Sequence, residues 1–140
     1  MTEYVAGFML EKDTDRVALV LKNRPAWQAG KMNGVGGHIE PGETPKQAMV
    51  REFLEETGYS TAESEWENFT TLFGDDWRVH FFSSEGRIDE LKSTTDEEIV
   101  LVSFSQINVK NAIPNLTWLI PMAKSMMYDR AKHFEIQEKY

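Results

Sequence analysis

The chain has 140 residues, 41% apolar and 27% charged, with no cysteine and a formal net charge of -8 from 23 acids and 15 bases. Such a length suits one domain that buries roughly 68–70% of its extended surface without staples, and the lack of cysteine removes thiol nucleophiles, zinc–cysteine sites and disulfide frameworks. The acidic balance argues against polymeric nucleic acid and anionic membrane as partners, so an anionic ligand would need positive charge from some other source.

Met1 to Tyr4 lacks a basic segment leading into a long apolar run, and no apolar run approaches the roughly 18 residues of a spanning helix. A cytoplasmic protein is the expectation. Asn68-Phe69-Thr70 and Asn115-Leu116-Thr117 match the glycosylation pattern, and without a signal peptide both read as chance. No repeat, low-complexity tract or linker interrupts the chain, so a single domain over 1–140 is expected.

In chain order, Tyr4 to Leu10 and Val17 to Leu21 are apolar and β-prone around a polar turn, and read as a hairpin. Lys22 to Met32 reads as a loop. Asn33 to Ile39 is glycine-dense and reads as a short strand whose backbone must come close to something. After a turn at Glu40 to Glu43, Thr44 suits a helix N-cap, Pro45 its first position, and Gln47 completes a capping box. Gly58 suits the C-terminal stop. Trp66 to Phe73 and Trp77 to Phe82 read as strands joined at Gly74-Asp75-Asp76, and Ile99 to Phe104 as another. A second helix is expected from about Thr117 toward Glu135, with Pro121 near its first turn, where a missing N–H costs little. The order implies an α+β class, a mixed α/β/α sandwich.

On a helical wheel of about 100° per residue, Glu52, Glu55 and Glu56 share one arc, with Arg51 at its edge. Val50, Phe53, Leu54 and Thr57 are expected on the opposite, buried side. A solvated acidic face is one reading. Against it, like charges at these spacings cost roughly 0.2–0.5 kcal/mol each, and the glutamates lie in the half of the helix where the dipole disfavours them. A divalent cation would reverse both penalties, and oxygen-only ligation suits Mg²⁺ or Mn²⁺.

Gly37, then five residues to Glu43, then seven to Arg51-Glu52-Phe53-Leu54-Glu55-Glu56-Thr57-Gly58-Tyr59, resembles the Nudix box, G-x5-E-x7-R-E-U-x-E-E-x-G-U with U bulky and apolar. Every fixed position is present, and both U positions, Phe53 and Tyr59, are aromatic rather than aliphatic. The resemblance implies a mixed sheet between helices and a metal-dependent hydrolase acting on phosphoric anhydrides of nucleotides. It implies Glu52 and Glu56 as the main metal ligands, joined through its carbonyl by Gly37. Glu55 would be a ligand or the base that takes a proton from water. Arg51 and Glu43 would position the glutamates, and Gly58 would close the helix. Family members often add a glutamate from a later loop; Glu97 and Glu98 are the candidates, and Glu98 is preferred. Either also reads as an ordinary polar strand end.

Residues matching the markers of ADP-ribose, diadenosine polyphosphate and NADH types are missing. Trp27 to Gly37 instead resembles MutT-type nucleoside triphosphatases, particularly those removing oxidised purine dNTPs. That implies a base contact by Asn33, whose amide both donates and accepts, and an aromatic wall from Trp27. A turn residue and a surface-loop anchor are the alternatives. Asn115 to Pro121 resembles the segment closing the same pocket, but Asn115 and Leu116 stand where relatives often carry acids, which weakens the case for an oxidised purine. Trp118 reads equally as core or pocket, and Lys22 or Arg24 as phosphate contacts. The expected activity is hydrolysis of a nucleoside triphosphate to monophosphate and pyrophosphate with Mg²⁺ or Mn²⁺. The expected partner is a small nucleotide, not a nucleic acid or membrane. A nucleotide sugar or dinucleotide substrate, or a nucleotide-binding module without turnover, is the rival.

Overall fold

The computed structural model describes residues 1–127 and 134–139. Its strands are β1 (Thr2–Glu11), β2 (Arg16–Leu21), β3 (Met32–Asn33), β4 (Val35–His38), β5 (Glu67–Phe73), β6 (Trp77–Gly86), β7 (Glu98–Ser103) and β8 (Phe134–Gln137). Helix α1 (Pro45–Thr57) and helix α2 (Leu116–Ser125) complete the regular elements, with short 3₁₀ turns between strands. Among the described residues no helix is long and apolar enough to cross a membrane.

Alternation along β1 sorts the core into two layers. Ala6, Phe8 and Leu10 join Leu116, Leu119, Ile120 and Ala123 of α2. Val5 and Met9 join Ala48, Met49 and Phe53 of α1, with Trp66 behind them. Successive strand residues face opposite ways, so one strand feeds both layers. The sheet therefore lies between α1 and α2, the α/β/α sandwich expected from the order of elements.

The sheet forks. β1 lies parallel to β6 along its whole length. Its other edge is divided: Met9 and Leu10 pair with β2, whereas Tyr4 to Gly7 pair with β4. β2 continues past the branch to pair Val20 and Leu21 with β3, and its far edge carries β7. Gly34 is the crossing point between the two branches. A Cβ there would stand 3.0 Å from the Phe8 ring and 3.2 Å from the Gly7 carbonyl, so a side chain would crowd both.

The ends of α1 follow the local sequence. Thr44 Oγ1 accepts from the Gln47 N–H at 3.2 Å, and the Gln47 side chain accepts from the Thr44 N–H at 2.9 Å. Gly58 takes the left-handed conformation (φ 70°) and donates to the Leu54 carbonyl. The buried face differs from the wheel. Ala48, Met49, Phe53 and Thr57 are buried, Val50 is half-buried, and Leu54 is exposed. The Glu52 side of the helix closes on the glycine strand, where a Cβ on Gly37 would collide with the Glu52 carboxylate.

The C-terminal expectation also needs correction. Helix α2 ends at Ser125, and 134–137 is a strand, parallel to β5 through pairs such as Thr70 with Phe134. Residues 128–133 of the expected helix lie outside the described residues. Pro121 stands inside α2, past its first turn and exposed to solvent, where it removes one helical hydrogen bond.

Candidate active site

Two features of α1 build the acidic cluster. Its spacing puts Glu52 and Glu56 on one side of the helix, and the missing side chain of Gly37 lets the Glu52 carboxylate approach the strand. A Cβ on Gly37 would stand 2.5 Å from Glu52 Oε1. The Gly36 N–H favours the ionised form of Glu56.

Arg51 is the hub. Its Nε donates to Glu43 Oε2 at 2.7 Å and its Nη2 to Glu43 Oε1 at 2.8 Å, a two-point contact. Its Nη1 reaches Glu52 Oε1 at 2.9 Å and Glu55 Oε2 at 3.4 Å, and its Nη2 also reaches the His38 carbonyl at 3.0 Å. Glu40 lies 3.8 Å from the same guanidinium. The hydrogen bond from Arg51 holds the Glu43 carboxyl below its ordinary value, and Glu43 holds Arg51 firmly protonated.

Glu52 and Glu56 shift the other way. Burial pushes Glu52 up, opposed by Arg51 and reinforced by the charges of Glu55 and Glu43. Burial, then the charge of Glu52, pushes Glu56 up to about 7, while Lys22 opposes and Glu97 adds to the rise. Glu56 Oε2 is buried with no hydrogen-bond partner. Arg51 thus arranges the rim of the cluster and leaves its deepest oxygen unmatched.

An orphaned buried carboxylate oxygen on Glu56, with the half-buried Glu52 on the same side of the helix, offers donors to an oxygen-liganded divalent cation. The residues fit such an ion. Among the described residues, no three histidine, aspartate or glutamate side chains already stand as a ready metal cage. Glu55 is more open, with 57% of its side chain exposed, and its backbone carbonyl accepts from the Thr94 hydroxyl at 2.5 Å.

The two later glutamates differ in their surroundings. Glu98 is exposed at the start of β7. Glu97 is buried and lies within electrostatic range of Glu56. Lys22 Nζ donates to Glu97 Oε1 at 2.8 Å, and the backbone N–H groups of Asn23 and Arg24 donate to Oε2 at 2.6 and 3.2 Å. Burial alone would raise the Glu97 carboxyl; Lys22 and the two backbone donors outweigh it and hold it low.

The proposed base-binding residues lie around the other branch of the fork. Asn33 Oδ1 accepts from the Gly34 N–H at 2.8 Å, and its Nδ2 donates to Gln28 Oε1 at 3.0 Å. Met32 bonds through its N–H to the Asn111 carbonyl and through its carbonyl to the Ile113 N–H, so Asn33 is adjacent to the segment leading into Asn115. Asn115 is half-buried at the N-cap of α2 without a side-chain cap. Trp118 is half-buried against the α2 layer of the core. Trp27 is 63% exposed on the turn beside Gln28, and Arg24 is exposed and paired with Asp96.

Sequence reasoning missed Glu40 as a partner of Arg51 and gave no role to the Lys22–Glu97 pair. The first had a local signal, three residues before Glu43. The second joins positions 75 apart and needed the β2–β7 register.

The NUDIX domain family pattern matches residues 1–121. The chain is similar to the oxidized purine nucleoside triphosphate hydrolase of Danio rerio, 54% identical over 57 residues, or 41% of this chain and 36% of that protein. It is similar to the 8-oxo-dGTP diphosphatase of Escherichia coli K12, 37% identical over 54 residues, or 39% of this chain and 42% of that protein. The matches thus span well under half the length of these curated relatives. In fold it resembles a solved MutT from a study of Aliivibrio salmonicida and Vibrio cholerae, with a TM-score of 0.70 at 23% identity over 91% of this chain and 97% of that one.

Proposed function

The chain belongs to the NUDIX domain family, and from that premise we propose that it hydrolyses a nucleoside triphosphate to the monophosphate and pyrophosphate with a divalent cation. The carrying observation is the unpartnered, buried Oε2 of Glu56 beside Glu52 on the glycine strand. The names of the two curated relatives support a purine nucleoside triphosphate, oxidised or otherwise altered in the base.

Glu52 and Glu56 would hold the cation, joined by the carbonyl of Gly37. Mg²⁺ or Mn²⁺, when bound, supplies neutralisation of phosphate charge. Arg51 and Glu43 fix the carboxylates so that little reorganisation accompanies reaction. Glu55, the most open carboxylate of the box, takes the proton of the attacking water. Water oxygen adds to phosphorus, the α–β anhydride bond breaks, and the electron pair leaves on pyrophosphate. Asn33 reads the base edge, with Trp27, Asn115 and Trp118 around it and Arg24 toward the phosphates.

The test is pyrophosphate release from canonical and oxidised NTPs and dNTPs, nucleotide sugars and dinucleotides, in Mg²⁺ and in Mn²⁺. Release from at least one triphosphate, lost in Glu56→Gln, is expected. Release only from a sugar or dinucleotide, or tight nucleotide binding with no turnover, would replace this reading with a rival.

A further inference from the structure

Carboxylates are seldom as buried as Glu97, at 6% exposure, unless they are paired. All of its described side-chain hydrogen bonds go to one short stretch. Lys22 Nζ takes Oε1, and the Asn23 and Arg24 N–H groups take Oε2. The neighbouring Asp96 adds to the same anchor: its carbonyl accepts from Asn23 Nδ2 at 2.7 Å, and its carboxylate pairs with the Arg24 guanidinium. Two consecutive acids thus bind three consecutive residues.

Those three residues begin the loop that carries Trp27 and Gln28. The loop closes on itself through Lys22 N–H to Lys31 O at 2.9 Å and Gly30 N–H to Lys22 O at 2.8 Å. Inside it, Gln28 N–H bonds the Pro25 carbonyl, and the Gln28 side chain holds the Asn33 amide. Internal bonds give the loop its shape but not its angle to the rest of the fold. The 96–97 anchor supplies the angle, because it ties the first three loop residues to the segment just before β7.

We propose that Glu97 is a positioning residue for the 22–31 loop rather than a further cation ligand or proton acceptor. Both of its oxygens are engaged, by one ammonium and two amides. Turning the carboxylate toward a cation would take it from three part-buried donors at once. Its effect on the reaction passes through the loop, to Trp27, Gln28 and Asn33. This rests on the hydrolase reading above.

Glu97→Gln preserves shape and removes the charge, and Lys22→Met removes the partner. In both, KM for the triphosphate is expected to rise about tenfold with kcat within about threefold. The pH profile of kcat and the Mn²⁺ affinity without nucleotide, read by electron paramagnetic resonance, stay as in the wild type. Amide exchange across 22–31 speeds up about tenfold while that of α1 does not. A loss of kcat of about 100-fold or weaker Mn²⁺ binding in Glu97→Gln would make Glu97 a ligand or base. Unchanged KM with unchanged loop exchange would overturn the proposal outright. If the wild-type protein turns over no nucleotide, the hydrolase reading fails and loop exchange alone decides the role of Glu97.

Discussion

Arg51 and Lys22 are both half-buried cations closed by carboxylates, but they are built over different distances. Arg51 collects Glu40, Glu43, Glu52 and Glu55, all within 11 residues of it. Lys22 meets Glu97, 75 residues away. The first cluster has more acids than it can neutralise, and its deepest oxygen, on Glu56, has no hydrogen-bond partner. The second is matched, with ammonium and backbone donors distributed over both oxygens of one carboxylate. An unmatched cluster is prepared for an added cation; a matched one holds two segments together. On this view the negative charge of the chain is not uniform, since part of it is arranged to receive a cation through which an anion can be met.

The largest effect that would break this contrast is on activity. Glu56→Gln is expected to lower kcat/KM by about 10²–10³-fold, while making the metal-free protein more stable at pH 8 in urea unfolding. The gain follows because a neutral amide is cheaper to bury than an ionised carboxylate with an unpartnered oxygen. A destabilised Glu56→Gln would show that the α1 cluster is matched after all. Next comes the other cluster. Lys22→Met should cost about 2–3 kcal/mol in the same assay, because Glu97 loses a charged donor but keeps two amides. A neutral result would mean that the pair does not hold the segments.

The pH dependence sharpens the same point. Glu97 lies below the ordinary carboxylate value of 4.5 in the folded chain, so the folded state binds its proton less tightly than the unfolded state. Its contribution is complete above about pH 4.5 and is lost as pH falls through the lower folded value. Urea unfolding from pH 6 to 3 should show that loss, and Lys22→Met should flatten it, because the carboxyl then loses the hydrogen bond and charge of Lys22 that oppose its burial.

How far the sequence could be read follows the same division. Helix α1 was legible to the residue at both ends because Thr44, Gln47 and Gly58 act on backbone groups a few positions away. The arc of Glu52, Glu55 and Glu56 with Arg51 at its edge was legible from the helical repeat, whereas Glu43 came from the resemblance and Glu40 was missed. The choice between Glu97 and Glu98 was not legible. Adjacent strand residues face opposite ways, and only the pairing of Leu21 with Glu98 settles which one meets Lys22. Helix α2 overran because Met126 and Met127 continue an apolar pattern without a glycine or proline to stop it. The strand after it depends on a partner, β5, more than 60 residues earlier. Leu54 was misplaced because a wheel shows which residues share a side and not how wide the covered arc is.

The smallest expected effect separates the two clusters most cleanly. Thr44→Ala removes the hydroxyl that accepts from the Gln47 N–H, at a cost of about 1 kcal/mol. The loss is local to the first turn of α1, and Arg51 lies less than two turns further along. Amide exchange should therefore quicken over the start of α1 and leave 22–31 unchanged, the reverse of the pattern expected for Lys22→Met. Because Arg51 is also held through Glu43 and the His38 carbonyl, outside the helix, the Arg51 cluster should survive the frayed turn and activity should change by less than about threefold. If exchange quickened in both places, the two clusters would belong to one cooperative unit, and the contrast between an unmatched site and a matched anchor would describe their chemistry but not their stability.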